Sequence, residues 1–133
     1  MKKVIVLPCS GIGKPAGEIG RQAAYTLADQ LRPEQCVRIC LARLMIDEPD
    51  SVSLVRDNLV ITLDGCPEDC ARKNVERIKN KVNHAFHVTD FMNQFPELKP
   101  EGILNLGEDG SHLATRLAEH LAAEVDRLTG EGA

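Results

Sequence analysis

The sequence predicts an α/β fold: a three-layer open sheet, mostly parallel, of about four strands with helices on both faces. Three observations lead there. Short, apolar, β-branched runs read as buried parallel strands. Segments with apolar residues at spacings of three and four alternate with them, giving the order strand, helix, strand, strand, helix, strand, helix. The length, 133 residues, suits one domain over 1–133 with a core that needs no disulfides.

The first strand is Val4-Ile5-Val6-Leu7, ended by Pro8. A glycine-rich turn, Cys9 to Gly17, leads into a helix that opens at Pro15, where a missing N–H costs nothing. Its apolar face is Ala16, Ile19, Gly20, Ala23, Ala24, Leu27 and Leu31, and Pro33 stops it. Val37 to Leu41 reads as the second strand, with Cys36 just before it. Leu44 to Asp57 is broken by Pro49, with a short helix capped by Ser51. Leu59-Val60-Ile61-Thr62-Leu63 is the third strand and runs into Asp64-Gly65-Cys66-Pro67. The next helix carries Ala71, Val75, Ile78 and Val82 on one face, and Arg72, Lys73, Arg77, Lys79 and Lys81 as a solvated outer face. Ala85 to Val88 is the fourth strand. Phe91 to Gly110 is irregular, with a helical turn or short strand at Ile103–Leu106. A last helix over about 111–128 has the stripe Leu113, Leu117, Leu121, Val125 and Leu128.

Composition narrows the function. Net charge is -4 with both signs interspersed and aromatic residues are 3%, so neither a basic patch nor a base-stacking platform for nucleic acid is expected. The apolar run after Lys2 and Lys3 is too short for a signal peptide, and no run is long enough to span a membrane. The protein is expected in the cytoplasm, where clustered cysteines serve metal or redox chemistry more often than structural disulfides.

Ligands of open α/β sheets sit beyond the carboxyl ends of the strands. Cys9 follows the first strand, Cys40 lies near the end of the second, and Cys66 follows the third, with Cys70 four residues on. A parallel sheet brings all four to one edge. If Cys66 opens a helix with Pro67 in its first turn, Cys66 and Cys70 share a face with Cβ atoms about 5–6 Å apart. Two thiolates there can share a metal at about 2.3 Å each, and the positive helix N-terminus favours thiolate. Four thiols suit zinc or an iron–sulfur cluster, although the C-x2-C-x2-C run of bacterial ferredoxins is absent. A thiol-dependent redox or sulfur-handling enzyme using Cys66 and Cys70 is the alternative, and four buried small side chains the bland one. Cys36 reads as packed.

Asp64 is expected to accept backbone N–H bonds in its turn or to orient a ligand, and Gly65 to allow a close backbone approach or a positive φ. The loop Cys9-Ser10-Gly11-Ile12-Gly13-Lys14 leads to a helix N-terminus, so a small anion is a possible ligand there. It matches neither a Walker motif nor the C-x5-R loop of thiol phosphatases. The four histidines, His84, His87, His112 and His120, are scattered and read as solvated or structural.

Three separated blocks carry a family resemblance: PCSGIGKPAGEIGRQAA from Pro8, VRICLARL from Val37, and LVITLDGCPEDCARK from Leu59. Together they resemble the DGC-domain family of zinc-binding proteins, named for Asp-Gly-Cys, here Asp64-Gly65-Cys66. The resemblance implies four chelating cysteines, matching Cys9, Cys40, Cys66 and Cys70, with Cys36 outside the pattern. It spans about 4–106 and leaves the final helix as an addition.

Overall fold

A computed structural model describes residues 2–9 and 11–130. Strands β1 (Val4–Pro8), β2 (Cys36–Arg38), β3 (Leu59–Asp64) and β4 (His84–His87) form a parallel sheet in the order β2-β1-β3-β4. The sheet is covered on both sides, as the apolar runs require. Side chains alternate across a strand, so β1 sends Val4 and Val6 to one face and Ile5 and Leu7 to the other, all fully buried.

On the first face lie α1 (Pro15–Thr26), α5 (Val88–Met92) and α6 (Gly107–Thr129). Ile19, Ala23 and Ala24 of α1 meet Leu113, Leu117, Leu121 and Val125 of α6 over Ile61 and Leu63. Each large side chain so buried contributes about 1.5–3 kcal/mol, so α6 is a working part of this layer. On the opposite face, α2 (Leu41–Met45), α3 (Pro49–Asp57) and α4 (Cys70–Lys79) place Leu41, Leu44, Val55, Ala71 and Val75 against Ile5, Leu7 and Val60. Among the described residues, no helix is long and apolar enough to cross a membrane.

The elements differ from expectation at several ends. After Thr26, α1 widens into one π-type turn, Leu27–Leu31, closed by the Arg32 N–H on the Leu27 carbonyl at 2.8 Å. Cys36 is the buried first residue of β2 rather than a residue before it. The β2 strand stops at Arg38, because Leu41 and Leu44 both turn into the core, a spacing that needs a helix. The break expected at Pro49 lies just before it, between α2 and α3, with Pro49 opening α3; the cap is Glu48 rather than Ser51, its carboxylate accepting the Ser51 N–H at 3.0 Å. Val88, read as the end of the fourth strand, starts α5, which runs two residues into the stretch read as irregular, and α6 starts at Gly107, where Glu108 and Asp109 suit the positive end of a helix. Ile103–Leu106 is neither strand nor helical turn. The basic face of α4 is not merely solvated: the Lys79 ammonium donates to the Val55 and Asn58 carbonyls at 3.0 and 2.6 Å, and Arg77 pairs with Asp47 at 2.8 Å.

Candidate functional site

From β1 the chain crosses to β2 on one side, while β3 pairs on the other. The crevice between the carboxyl ends of β1 and β3 is therefore the switch point where such sheets bind ligands. Cys9 and the Asp64-Gly65-Cys66 segment meet there. The Cys9 N–H donates to the Leu63 carbonyl at 2.9 Å, extending the β1–β3 ladder by one bond. In return, the Gly65 N–H donates to the Cys9 sulfur at 3.2 Å. Cys9 is buried, and desolvation pushes its thiol up; the Gly65 N–H opposes this, while Asp64, Cys66 and Cys70 add to it.

Glycine makes this approach possible. A Cβ on Gly65 would stand 3.1 Å from the Gly17 nitrogen and 3.3 Å from Ala16, so the start of α1 would have to give by a few tenths of an ångström to admit a side chain. Close approach, not a positive φ, is its role. Gly11 combines both demands: its φ is +46°, and a Cβ there would lie 2.4 Å from the Gly17 Cα and 3.2 Å from the Cys9 sulfur.

Asp64 is buried at the end of β3, and its carboxylate accepts the backbone N–H groups of Ala71 at 2.8 Å and Arg72 at 3.0 Å. These are the second and third residues of α4, the donors an N-cap side chain usually satisfies. Asp64 thus caps α4 from the preceding strand rather than closing its own turn. Burial raises its pKa, and the two N–H bonds oppose the rise.

The helix after Cys66 begins only at Cys70. Cys66 and Pro67 lie in a turn, so the shared helical face expected for Cys66 and Cys70 does not form. What interrupts it is Asp69, in the left-handed region at φ 54°, ψ 45°. Its carboxylate is fixed by Arg72 at 2.8 Å and by His87 Nε2 at 2.6 Å, and these partners, Arg72 foremost, hold it below the usual carboxylate range. His87 ends β4 in register with Asp64. Two other histidines are also engaged: His84 Nδ1 meets Glu124 at 2.6 Å, and His120 packs against Phe86 and Phe91.

Cys9, Cys66 and Cys70 line one cleft of about 390 Å³, together with Asp64, Gly65 and Gly11. Cys66 is partly exposed and Cys70 exposed. Cys40, exposed at the start of α2, borders an adjoining cleft of about 360 Å³ with Arg21, Tyr25 and Arg38. Cys9, Ile12 and Leu41 border both clefts. Cys36 lies apart in the core beside Arg32, its thiol pushed up to about 11 by burial. Ser10 falls outside the described residues. Gly13 and Lys14 continue the loop along the first cleft. Among the described residues, no group of three or more Cys, His, Asp or Glu side chains is arranged to hold a metal ion.

Sequence reasoning missed Asp69, Arg72 and His87 as partners. The left-handed Asp69 has no local signature, and His87 reaches it from another strand.

Comparison with known proteins adds the family. A family model for the DGC domain matches residues 5–102. None of the curated proteins and none of the solved structures gives a significant match. The matched span contains the sheet except Val4, both clefts and all five cysteines, and stops before α6. With most of its length matched, the chain belongs to the DGC-domain family.

Proposed function

We propose that the cleft binds one zinc ion through the thiolates of Cys9, Cys66 and Cys70, with Cys40 as an exchangeable fourth ligand. The observation that carries this reading is the lining of one cleft, at the switch point of the sheet, by three free thiols. Thiolate donors match the softness of zinc. The donor chemistry fits, but the groups do not yet surround one point, so coordination requires the Cys66–Cys70 turn and Cys40 to close on Cys9. Cys9 is the buried, hydrogen-bonded anchor, and Cys40 and Cys70 are the exposed thiols. Bound there, zinc would supply a charged centre that holds thiolates together, as in structural and carrier sites. Free thiols in this number suit a reducing compartment, the cytoplasm.

A second reading has its own support. Cys66 and Cys70 are free thiols on a cleft large enough for a small molecule, which suits thiol-dependent redox or sulfur chemistry.

Elemental analysis and a visible spectrum of protein purified without oxygen or added metal test the proposal. About one zinc per chain without visible colour is expected, lost on Cys9→Ser, Cys66→Ser or Cys70→Ser and kept on Cys36→Ser. Iron with matching sulfide and a brown colour would replace zinc by an iron–sulfur cluster on the same thiols. No metal and five titratable thiols would contradict both and leave the thiol chemistry.

A further inference from the structure

The second cleft carries a different chemistry. Its volume of about 360 Å³ falls within the roughly 300–1,000 Å³ of small-molecule sites. Past β2 the chain stays extended: the Ile39 N–H donates to the Val6 carbonyl at 3.3 Å, and Cys40 has φ -85° and ψ 127°. Side chains two residues apart on extended chain share a face, about 6–7 Å from each other. Arg38 and Cys40 therefore stand together, on the side opposite Val37 and Ile39, which pack into the α2–α3–α4 layer. Their side is the one that α1 covers, and α1 brings Arg21 and Tyr25, one turn apart, to the same cleft.

Both guanidinium groups are fixed from outside the cleft. Arg38 donates to Asp29 from Nε at 3.0 Å and from Nη2 at 3.1 Å, and its guanidinium lies 4.5 Å from the centre of the Tyr25 ring. Among the described residues, its Nη1 has no protein partner. Glu18 holds Arg21 at 2.7 Å. Neither Asp29 nor Glu18 lines the cleft, and among the described residues no other carboxylate does. The wall is thus cationic beside an exposed thiol, with apolar surface from Pro8, Ala24 and Leu41. Clefts lined by charge of one sign concentrate ligands of the other.

We propose that this cleft selects small disulfides bearing carboxylates, and that Cys40 is where they react. A ligand carboxylate lies against Arg38 and a ligand sulfur faces Cys40. The Cys40 thiol loses its proton to water, and the thiolate attacks that sulfur. The ligand S–S bond breaks, one half leaves as a thiolate, and the other half stays on Cys40 as a mixed disulfide. Cys40 is oxidised and the departing half is reduced. No metal takes part, so the zinc reading can fail without touching this site.

The test compares three disulfides on the chelator-treated full chain: dithiodiglycolate, which is anionic, bis(2-hydroxyethyl) disulfide, which is neutral, and cystamine, which is cationic. Rates of mixed-disulfide formation at Cys40, read by peptide mass spectrometry, are divided by those of 2-mercaptoethanol with the same reagent. At low salt the anionic reagent should lead the neutral one by about threefold, the effect of one unit charge at about 6 Å in water, with the cationic reagent last. The preference should vanish in about 1 M salt, where the Debye length is about 3 Å. Arg38→Gln should reduce it, whereas Asp29→Asn, which removes the countercharge, should enlarge it. Both positions are exposed, and exposed ion pairs add little stability. Equal relative rates for the three reagents in the unsubstituted protein, or an anionic preference unchanged by Arg38→Gln and by salt, would overturn the proposal.

Discussion

The Gly65 N–H points at the Cys9 sulfur across 3.2 Å, joining the ends of β3 and β1 at the floor of the thiol cleft. The contact exists because Gly65 packs against Gly17 and Ala16 with no side chain between them. Gly65→Ala should therefore force the β3–α4 turn away from α1. Overpacking of this kind costs about 1–3 kcal/mol. Urea denaturation measures it, and an unchanged midpoint would show that the approach is looser than described.

Asp64 holds the first turn of α4 in place. Asp64→Ala leaves the Ala71 and Arg72 N–H groups without their acceptor, and loss of a helix cap costs about 0.5–2 kcal/mol. Asp64→Asn, which keeps one good acceptor, should recover part of that. Hydrogen exchange at Ala71 and Arg72 reads the effect locally, and should speed up in the alanine variant more than in the asparagine one.

The five thiols should separate by reactivity. Cys36 is 5% exposed with its pKa pushed up to about 11, so little thiolate forms near neutrality and reagent cannot reach it. A brief iodoacetamide pulse on metal-free protein should label Cys40 and Cys70 first and Cys36 last, with Cys9 also slow because it is buried. Peptide mapping gives the order. Rapid labelling of Cys36 under native conditions would contradict its place in the core.

Glu124 ties α6 to β4 through His84, and also bonds Arg127. Arg127 foremost, then His84, lowers its pKa from 4.5 to about 2. A depressed carboxylate adds stability above its unfolded pKa and loses it as pH falls through the folded one. The native protein should lose stability on acidification between these values, and Glu124→Gln should flatten that part of the curve. Superimposable acid curves would remove Glu124 from the account.

What was legible in the sequence follows the range of the interactions. Val4–Leu7 and Leu59–Leu63 declared themselves as strands, which was enough to put Cys9 and Cys66 at one edge. The stripe from Leu113 to Val125 declared α6, while the family resemblance made that helix look like an addition rather than half of a core layer. Cys40 was harder, because Val37 to Leu41 is apolar enough to read as strand to its end, and only the core's demand for Leu41 and Leu44 together starts α2. Pro67 imitated a helix start. The left-handed Asp69 that delays α4 has its carboxylate bonded by Arg72 and, from another strand, by His87, and the capping of α4 by Asp64 acts over seven and eight residues. Neither leaves a short-range pattern to find.

The central claim is that the three cleft thiols take one metal together. X-ray absorption at the zinc edge of the loaded full-length protein tests it most directly. The account predicts a first shell of four sulfur atoms at about 2.3 Å, reduced by one sulfur in Cys40→Ser and lost in Cys9→Ser. A shell of nitrogen and oxygen atoms, or a sulfur shell that survives removal of Cys9, would contradict it.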